Sequence, residues 1–155
     1  MTIHDFLARP REFRWGGVDG EDCMTFCASW IAELTGKDPA AEFRGTYHTE
    51  FGAGRLIASY GGLVPLTTRL LEPLGFTRTT DPQPGDVGII KSISETDRRA
   101  GEMAAIRFGP LWATMSLAGV RAKKVEFMAA WRAPLEHAPP ANAGAVRPRT
   151  DEQPV

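Results

Sequence analysis

Apolar residues recur at helical spacing in the first half of the chain. The clearest stripe runs from Asp22 to Gly36, with apolar positions at three- and four-residue steps. Its members are Cys23, Phe26, Cys27, Trp30, Ile31 and Leu34. Aspartate is a favoured N-cap and glycine a favoured residue just beyond a helix end. The pattern predicts one amphipathic helix that begins at Asp22 and stops at Gly36.

Four shorter helical patterns surround this stripe. They cover residues 2–8, 39–43, 49–60 and 63–74. Each ends at or near proline or glycine, the residues that most often terminate helices. Residues 10–21 contain three glycines and show no periodicity, so they are predicted to be irregular.

The second half of the chain has the signature of short strands separated by turns. Strands are predicted over residues 86–91, 103–108, 111–117 and 120–122, with a polar loop over 92–101. The stretch 125–132 fits either a helix or a strand. Helices followed by consecutive strands indicate an α+β domain, which we assign to residues 1–133. Residues 134–155 are proline-rich and are predicted to be disordered, or ordered only on a partner.

Composition and charge exclude several classes of protein. The 155 residues carry 18 basic and 19 acidic side chains, a net charge of -1, which argues against a dedicated nucleic-acid binder. No apolar run approaches the roughly 18 residues of a membrane span, and the N-terminus lacks a secretory signal. Two cysteines four apart form neither a disulfide framework nor a zinc pattern. We expect a protein made in a reducing cytoplasm, with no cofactor or metal.

Cys23 is the candidate nucleophile, because it opens the predicted helix. Unpaired backbone N–H groups and the helix dipole stabilise a thiolate there, and the same groups can form part of an oxyanion hole. Asp22 would cap the helix and orient the preceding loop. Cys23 also lies on the apolar stripe, and spacing alone favours a buried core residue over a catalytic one. Cys27, deeper in the helix, is interpreted as packing.

A catalytic thiol needs a base within hydrogen-bond reach, and the chain offers three histidines. His137 lies in the proline-rich tail and His4 on the terminal turn. His48 precedes a helix and is better explained as a surface or capping residue. The sequence therefore assigns no general base.

The order of these elements resembles the NlpC-type cell-wall peptidases, a papain-like superfamily. The similar residues are DCMTF at 22–26 and QPGDV at 83–87. More narrowly, the chain resembles an uncharacterised branch found in tailed phages and prophages. That likeness rests on DCMTFCASWIAELTGKDPAAEFRGTY at 22–47, EFGAGRLIASYGGL at 50–63 and AAWRA at 129–133, and spans about residues 5–133.

The resemblance implies helices packed on a C-terminal antiparallel sheet and a thiolate, from Cys23, that cleaves a peptidoglycan stem peptide. It also implies a histidine base on the second strand, in a His-x-Ala-Ile-x-x-Gly pattern. This chain reads MAAIRFG at 103–109, so Met103 occupies the expected histidine position. A thioether cannot act as that base, and a positioned acid–base group contributes roughly 10²–10⁴-fold to rate.

Three functions follow from this departure. The favoured one is a degenerate NlpC-like domain that serves as a structural or binding part of a phage tail tip, with other tail proteins as partners. The second is an active cysteine endopeptidase or amidase that acts on peptidoglycan peptides during genome delivery. The third is a tail-assembly factor absent from the virion. We expect the protein in the virion tail, after synthesis in the host cytoplasm.

Overall fold

The fold is α+β, with helices preceding a single antiparallel sheet. The computed structural model describes residues 1–93 and 100–140. Within them, four α-helices are followed by six strands in the spatial order β1-β6-β2-β3-β4-β5. The helices are α1 (Ile3–Ala8), α2 (Cys23–Thr35), α3 (Glu50–Ser59) and α4 (Leu63–Leu71). The strands are β1 (Thr77–Arg78), β2 (Val87–Ile93), β3 (Ala100–Phe108), β4 (Leu111–Ser116), β5 (Gly119–Lys123) and β6 (Phe127–Arg132).

Side-chain caps explain why three of the helices begin where they do. Thr2 accepts a hydrogen bond from the backbone N–H of Asp5 at the start of α1, and Thr49 accepts one from Gly52 at the start of α3. Asp22 caps α2, and Gly36 ends that helix in the left-handed conformation, with φ 79°. The caps predicted from the sequence at Asp22 and Gly36 are confirmed, and those at Thr2 and Thr49 are added by the structure.

Two helical predictions are wrong in whole or in part. Residues 39–45 form successive turns instead of a helix. The Asp38 carboxylate accepts from the Ala40 N–H, and the Gly45 N–H donates to the carbonyl of Gly16, so these donors are diverted from a helical ladder. The helix predicted over 63–74 ends at Leu71, and Glu72–Leu74, which contains Pro73, is a short 3-10 turn.

The predicted strands are confirmed, and the ambiguous stretch 125–132 forms strand β6. Strands β2 and β3 are longer than predicted and pair from Val87↔Ile106 to Ile93↔Ala100. Most of the predicted loop, residues 94–99, lies outside the described residues. Strand β1 was not predicted, because two residues are too few to show alternation.

Helix α2 packs on one face of the sheet and builds the main core. The buried strand residues Val87, Ile89, Ala104 and Ile106 belong to the same cluster as Phe26, Cys27 and Trp30 of α2. The opposite face carries a smaller cluster of Ile90, Ala105, Trp112 and Ala130. Because successive strand residues point to opposite faces, the register decides which side chains can approach α2.

Three of the segments quoted for the family resemblance are joined by specific contacts. The Trp30 indole N–H donates to the carbonyl of Gly85, at 2.8 Å, which ties the helix to the turn before β2. The next residue, Asp86, is buried and accepts from the Arg132 guanidinium at 2.9 Å. The Cys23 helix, the PGD turn and the AAWRA strand are therefore held together by two specific contacts.

The first residues of the predicted tail pack on the domain. Leu135–His137 form a 3-10 turn, and a Cβ added at Gly85 would lie 2.7 Å from Cγ of Pro139. The rest of the predicted tail, residues 141–155, lies outside the described residues. Among the described residues, no helix has the length and apolar character to cross a membrane.

Gly88 of β2 is predicted to be a packing requirement of the smaller cluster. An added Cβ would lie 2.5 Å from Cη2 of Trp112, a ring that is fully buried. We expect Gly88→Ala to lower the free energy of unfolding by about 1–3 kcal/mol in urea denaturation. The matched control is Gly54→Ala in α3, where the added Cβ meets no atom within 4 Å and should stabilise by about 0.5–1 kcal/mol. Equal effects of the two substitutions would contradict this account.

Candidate functional site

The buried Asp22 carboxylate organises the start of α2. One oxygen accepts from the backbone N–H of Thr25 at 2.9 Å, and the Thr25 hydroxyl accepts from the Asp22 N–H at 3.0 Å. The other oxygen accepts from the Tyr47 hydroxyl at 2.6 Å and from the Gly16 N–H at 3.1 Å. A buried carboxylate is costly unless hydrogen-bonded, and these three donors offset that cost. Asp22 thus performs the capping and loop-orienting role predicted for it.

The loop before α2 needs glycine at two positions, because neighbouring atoms leave no room for a side chain. Gly16 and Gly17 have φ values of 94° and 68°, in the region that favours glycine. A Cβ at Gly16 would lie 2.2 Å from the carbonyl oxygen of Tyr47, and one at Gly17 would lie 2.6 Å from the Thr25 side chain. The loop therefore fits tightly between the helix start and the segment that carries Tyr47.

Arg44 clamps the turn 38–45 onto the same loop and helix. Its guanidinium donates to Asp38 at 2.7 Å and to Glu21 at 3.0 Å. It also donates to the carbonyls of Gly17 and Thr25 and to the Ser29 hydroxyl. These contacts border an open polar groove of about 510 Å³, which Cys23 does not line. With its charge matched by two carboxylates, Arg44 has a structural role here.

Cys23 is partly exposed, and its surroundings disfavour the thiolate. The pKa of the Cys23 thiol is raised to about 11, mainly by burial and then by the negative charge of Asp22. Backbone hydrogen bonds from Ala104, Met24 and Cys23 itself act in the opposite direction. The helix start therefore helps as expected, but burial and the neighbouring carboxylate outweigh it. Burial also raises the pKa of Cys27, which packs in the core as predicted.

All three histidines lie within the described residues, and none forms a hydrogen bond with Cys23 there. His4 is exposed and packs edge-on against Phe108, with ring centroids 5.2 Å apart. His48 is exposed, and His137 belongs to the C-terminal 3-10 turn. The pKa of Cys23 is shifted by burial, by the Asp22 carboxylate and by backbone groups of Ala104, Met24 and Cys23, with no imidazole among these causes.

Strand β3 passes beside the sulfur, but Met103 lies on its far face. Met103 pairs with Ile90 and packs with the cluster around Trp112. Its neighbour Ala104 points to the α2 face and reaches Cys23 through its backbone. On the α2 face, position 104 carries only a methyl group, which has no proton-transfer capacity.

The residues around Cys23 do not include a metal site. Among residues 1–93 and 100–140, no group of three or more His, Cys, Asp or Glu side chains is arranged to hold a metal ion. The polar groups of the described residues that interact with Cys23 include the capped Asp22 carboxylate, the Tyr47 hydroxyl and the Cys27 thiol.

Tyr47 and Arg44 were missed by the sequence reasoning. Both fall within residues 22–47, the segment quoted for the resemblance, yet their partners lie up to 27 residues earlier in the chain. Local periodicity carries no information about such contacts. The only local hint of a role for Tyr47 is its position between glycine-containing stretches, and that position does not identify Asp22 as its partner.

Comparison with known proteins gives a family for most of the chain. A family model described as a domain of unknown function, DUF6950, matches residues 2–133. The chain belongs to this family. The matched range contains the α-helices, the strands and the Asp22–Cys23 site. No curated protein and no solved structure matches the sequence.

Removal of the Tyr47 hydroxyl should destabilise the protein, because it takes a hydrogen bond from the Asp22 cap. Tyr47→Phe deletes a 2.6 Å hydrogen bond to a buried carboxylate and should lower the free energy of unfolding by about 1–3 kcal/mol. The control is Tyr60→Phe, because the Tyr60 hydroxyl has no hydrogen-bond partner among the described residues and should matter little. Urea denaturation of both variants tests this, and a neutral Tyr47→Phe would contradict the account.

Alkylation should report the raised pKa of Cys23. The rate with iodoacetamide should climb steadily from pH 7 to pH 10 and reach half its maximum at about pH 11. At pH 7.5 we expect Cys23 to react at least about tenfold more slowly than an unstructured cysteine peptide. Fragment-ion mass spectrometry separates Cys23 from Cys27. A midpoint below pH 8 would show that the thiolate is stabilised instead.

Proposed function

We propose that the chain is a degenerate NlpC-like domain that acts as a structural or binding component of a phage tail, without peptidase activity. The phage assignment rests on the resemblance of residues 22–47, 50–63 and 129–133 to the phage and prophage branch. The loss of activity rests on the geometry around Cys23. These two parts of the proposal are independent and are tested separately below.

The proposed lack of peptidase activity rests on one observation, which is that the Cys23 thiol has no base beside it among the described residues. Peptide cleavage needs a thiolate and a group that protonates the leaving amine. Here the thiol pKa is raised to about 11, and the carboxylate beside it is engaged by three hydrogen-bond donors. Strand β3 offers Ala104 toward the sulfur and directs Met103 to the opposite face.

The papain-like ancestry is supported by the placement of the sulfur. The resemblance to this superfamily implies a cysteine at a helix start, close to the strand that carries the histidine base. In this chain the corresponding strand is β3. Cys23 is the first residue of α2, and its thiol reaches the backbone of Ala104 on β3. The Trp30–Gly85 and Asp86–Arg132 contacts join the quoted segments around that helix.

An active peptidase is the alternative that the Cys23 helix keeps open. It would require a base from another molecule, because the described residues supply no imidazole at the sulfur. A cleft that has lost its chemistry can still bind peptide or a neighbouring protein, since a fold does not fix a function. We therefore favour a structural or binding role, with tail proteins as partners and peptidoglycan peptide as a further ligand.

We expect Cys23→Ala to change neither the products formed from peptidoglycan nor the incorporation of the protein into virions. Wild-type and variant proteins, incubated with peptidoglycan fragments, should yield the same fragments and no new free amines by mass spectrometry. Phage particles that carry either version should contain equal amounts of the protein by quantitative proteomics.

The two readouts overturn different parts of the proposal. Cys23-dependent release of amines would defeat the inactive assignment while leaving the tail assignment intact. Absence of the wild-type protein from purified particles would defeat the tail assignment and favour an assembly factor. Loss of the Cys23→Ala variant alone from particles would show that Cys23 is needed for folding or docking.

A further inference from the structure

Strand β5 ends the sheet with one edge unpaired among the described residues. The sheet order places β4 on one side of β5 and no described strand on the other. The three residues from Arg121 to Lys123 are all exposed, including Ala122, which lies between them on the other face. Edge strands with free backbone N–H and C=O groups are templates for pairing with another chain.

The exposed end of β5 is strongly basic. Arg121, Lys123 and Lys124 lie within four residues, and none forms a salt bridge within the part of the chain that the structure describes. Arg121 and Lys123 are two residues apart, so they project from the same face of the sheet. In register they lie opposite Thr114 and Trp112 of β4, where no carboxylate offsets them.

We propose that the free edge of β5 binds an acidic, extended segment of another protein, which adds a strand to the sheet. The register specifies its pattern: carboxylates two residues apart would face Arg121 and Lys123. Pairing with β5 of a second copy is disfavoured, because it would place the positive charges of the two strands close together. The other outer strand, β1, has two residues and gives a much shorter template.

This proposal does not depend on the function proposed for the Cys23 site. Basic side chains on an edge strand also prevent non-specific pairing between neutral or basic strands. The same positive charges therefore contribute to specificity, because they repel basic strands and attract an acidic one.

The probe is a capped peptide of sequence Thr-Glu-Val-Glu-Val-Thr, titrated into the full-length ¹⁵N-labelled protein. We expect NMR shift changes concentrated at Gly119–Lys123 and in β4, with weaker binding as salt is raised. Lys123→Glu should raise the dissociation constant about threefold, the effect of one exposed ion pair. The matched control, Lys37→Glu, makes the same charge change at an exposed site beyond α2 and should have no effect.

Several results would overturn the proposal. One is the absence of shift changes at β5, or changes dominated by another region. Another is equal binding of the control peptide Thr-Lys-Val-Lys-Val-Thr, which would remove the role of charge. Equal weakening by Lys37→Glu and Lys123→Glu would show a non-specific effect of net charge.

Discussion

The hydrogen-bonded carboxylate of Asp22 is the interaction on which the candidate site depends. It caps α2 through Thr25, holds the preceding loop through Gly16 and anchors the following segment through Tyr47. The same buried charge raises the pKa of the adjacent Cys23 thiol. The group that builds the helix start therefore opposes the thiolate that a catalytic helix start would stabilise.

A catalytic cysteine would need that opposition to be reversed by a cationic partner. An imidazolium next to the sulfur lowers a thiol pKa by several units, and a helix N-terminus alone is weaker. Around Cys23 the nearest formal charge is negative, and the strand that approaches the sulfur presents Ala104. The Arg44 guanidinium, in the segment after α2, pairs with Asp38 and Glu21 and is not among the groups that shift the pKa of Cys23.

Sequence patterns predicted those elements whose signals are local. The helix at 22–36 follows from an apolar stripe with a cap at each end, and the strands of the second half follow from short apolar runs between turns. Residues 39–45 form turns instead of the predicted helix because the Ala40 N–H bonds to the Asp38 carboxylate and the Gly45 N–H bonds to the distant Gly16 carbonyl. Tyr47 and Arg44 were missed because their roles arise from partners distant in sequence. The position of Met103 depends on strand parity, which the sequence motif alone does not fix.

The quoted motifs gain physical meaning from the contacts that join them. Gly85 must accept the Trp30 indole N–H while its own N–H donates to Arg107, and Asp86 must accept from Arg132. These constraints act on the scaffold and would persist after catalysis is lost, because none of them involves the Cys23 sulfur. The contacts that hold the fold are therefore distinct from the groups that set the pKa of the thiol. That separation of scaffold contacts from the thiol is compatible with the structural or binding role proposed above, since a fold does not by itself fix a chemistry.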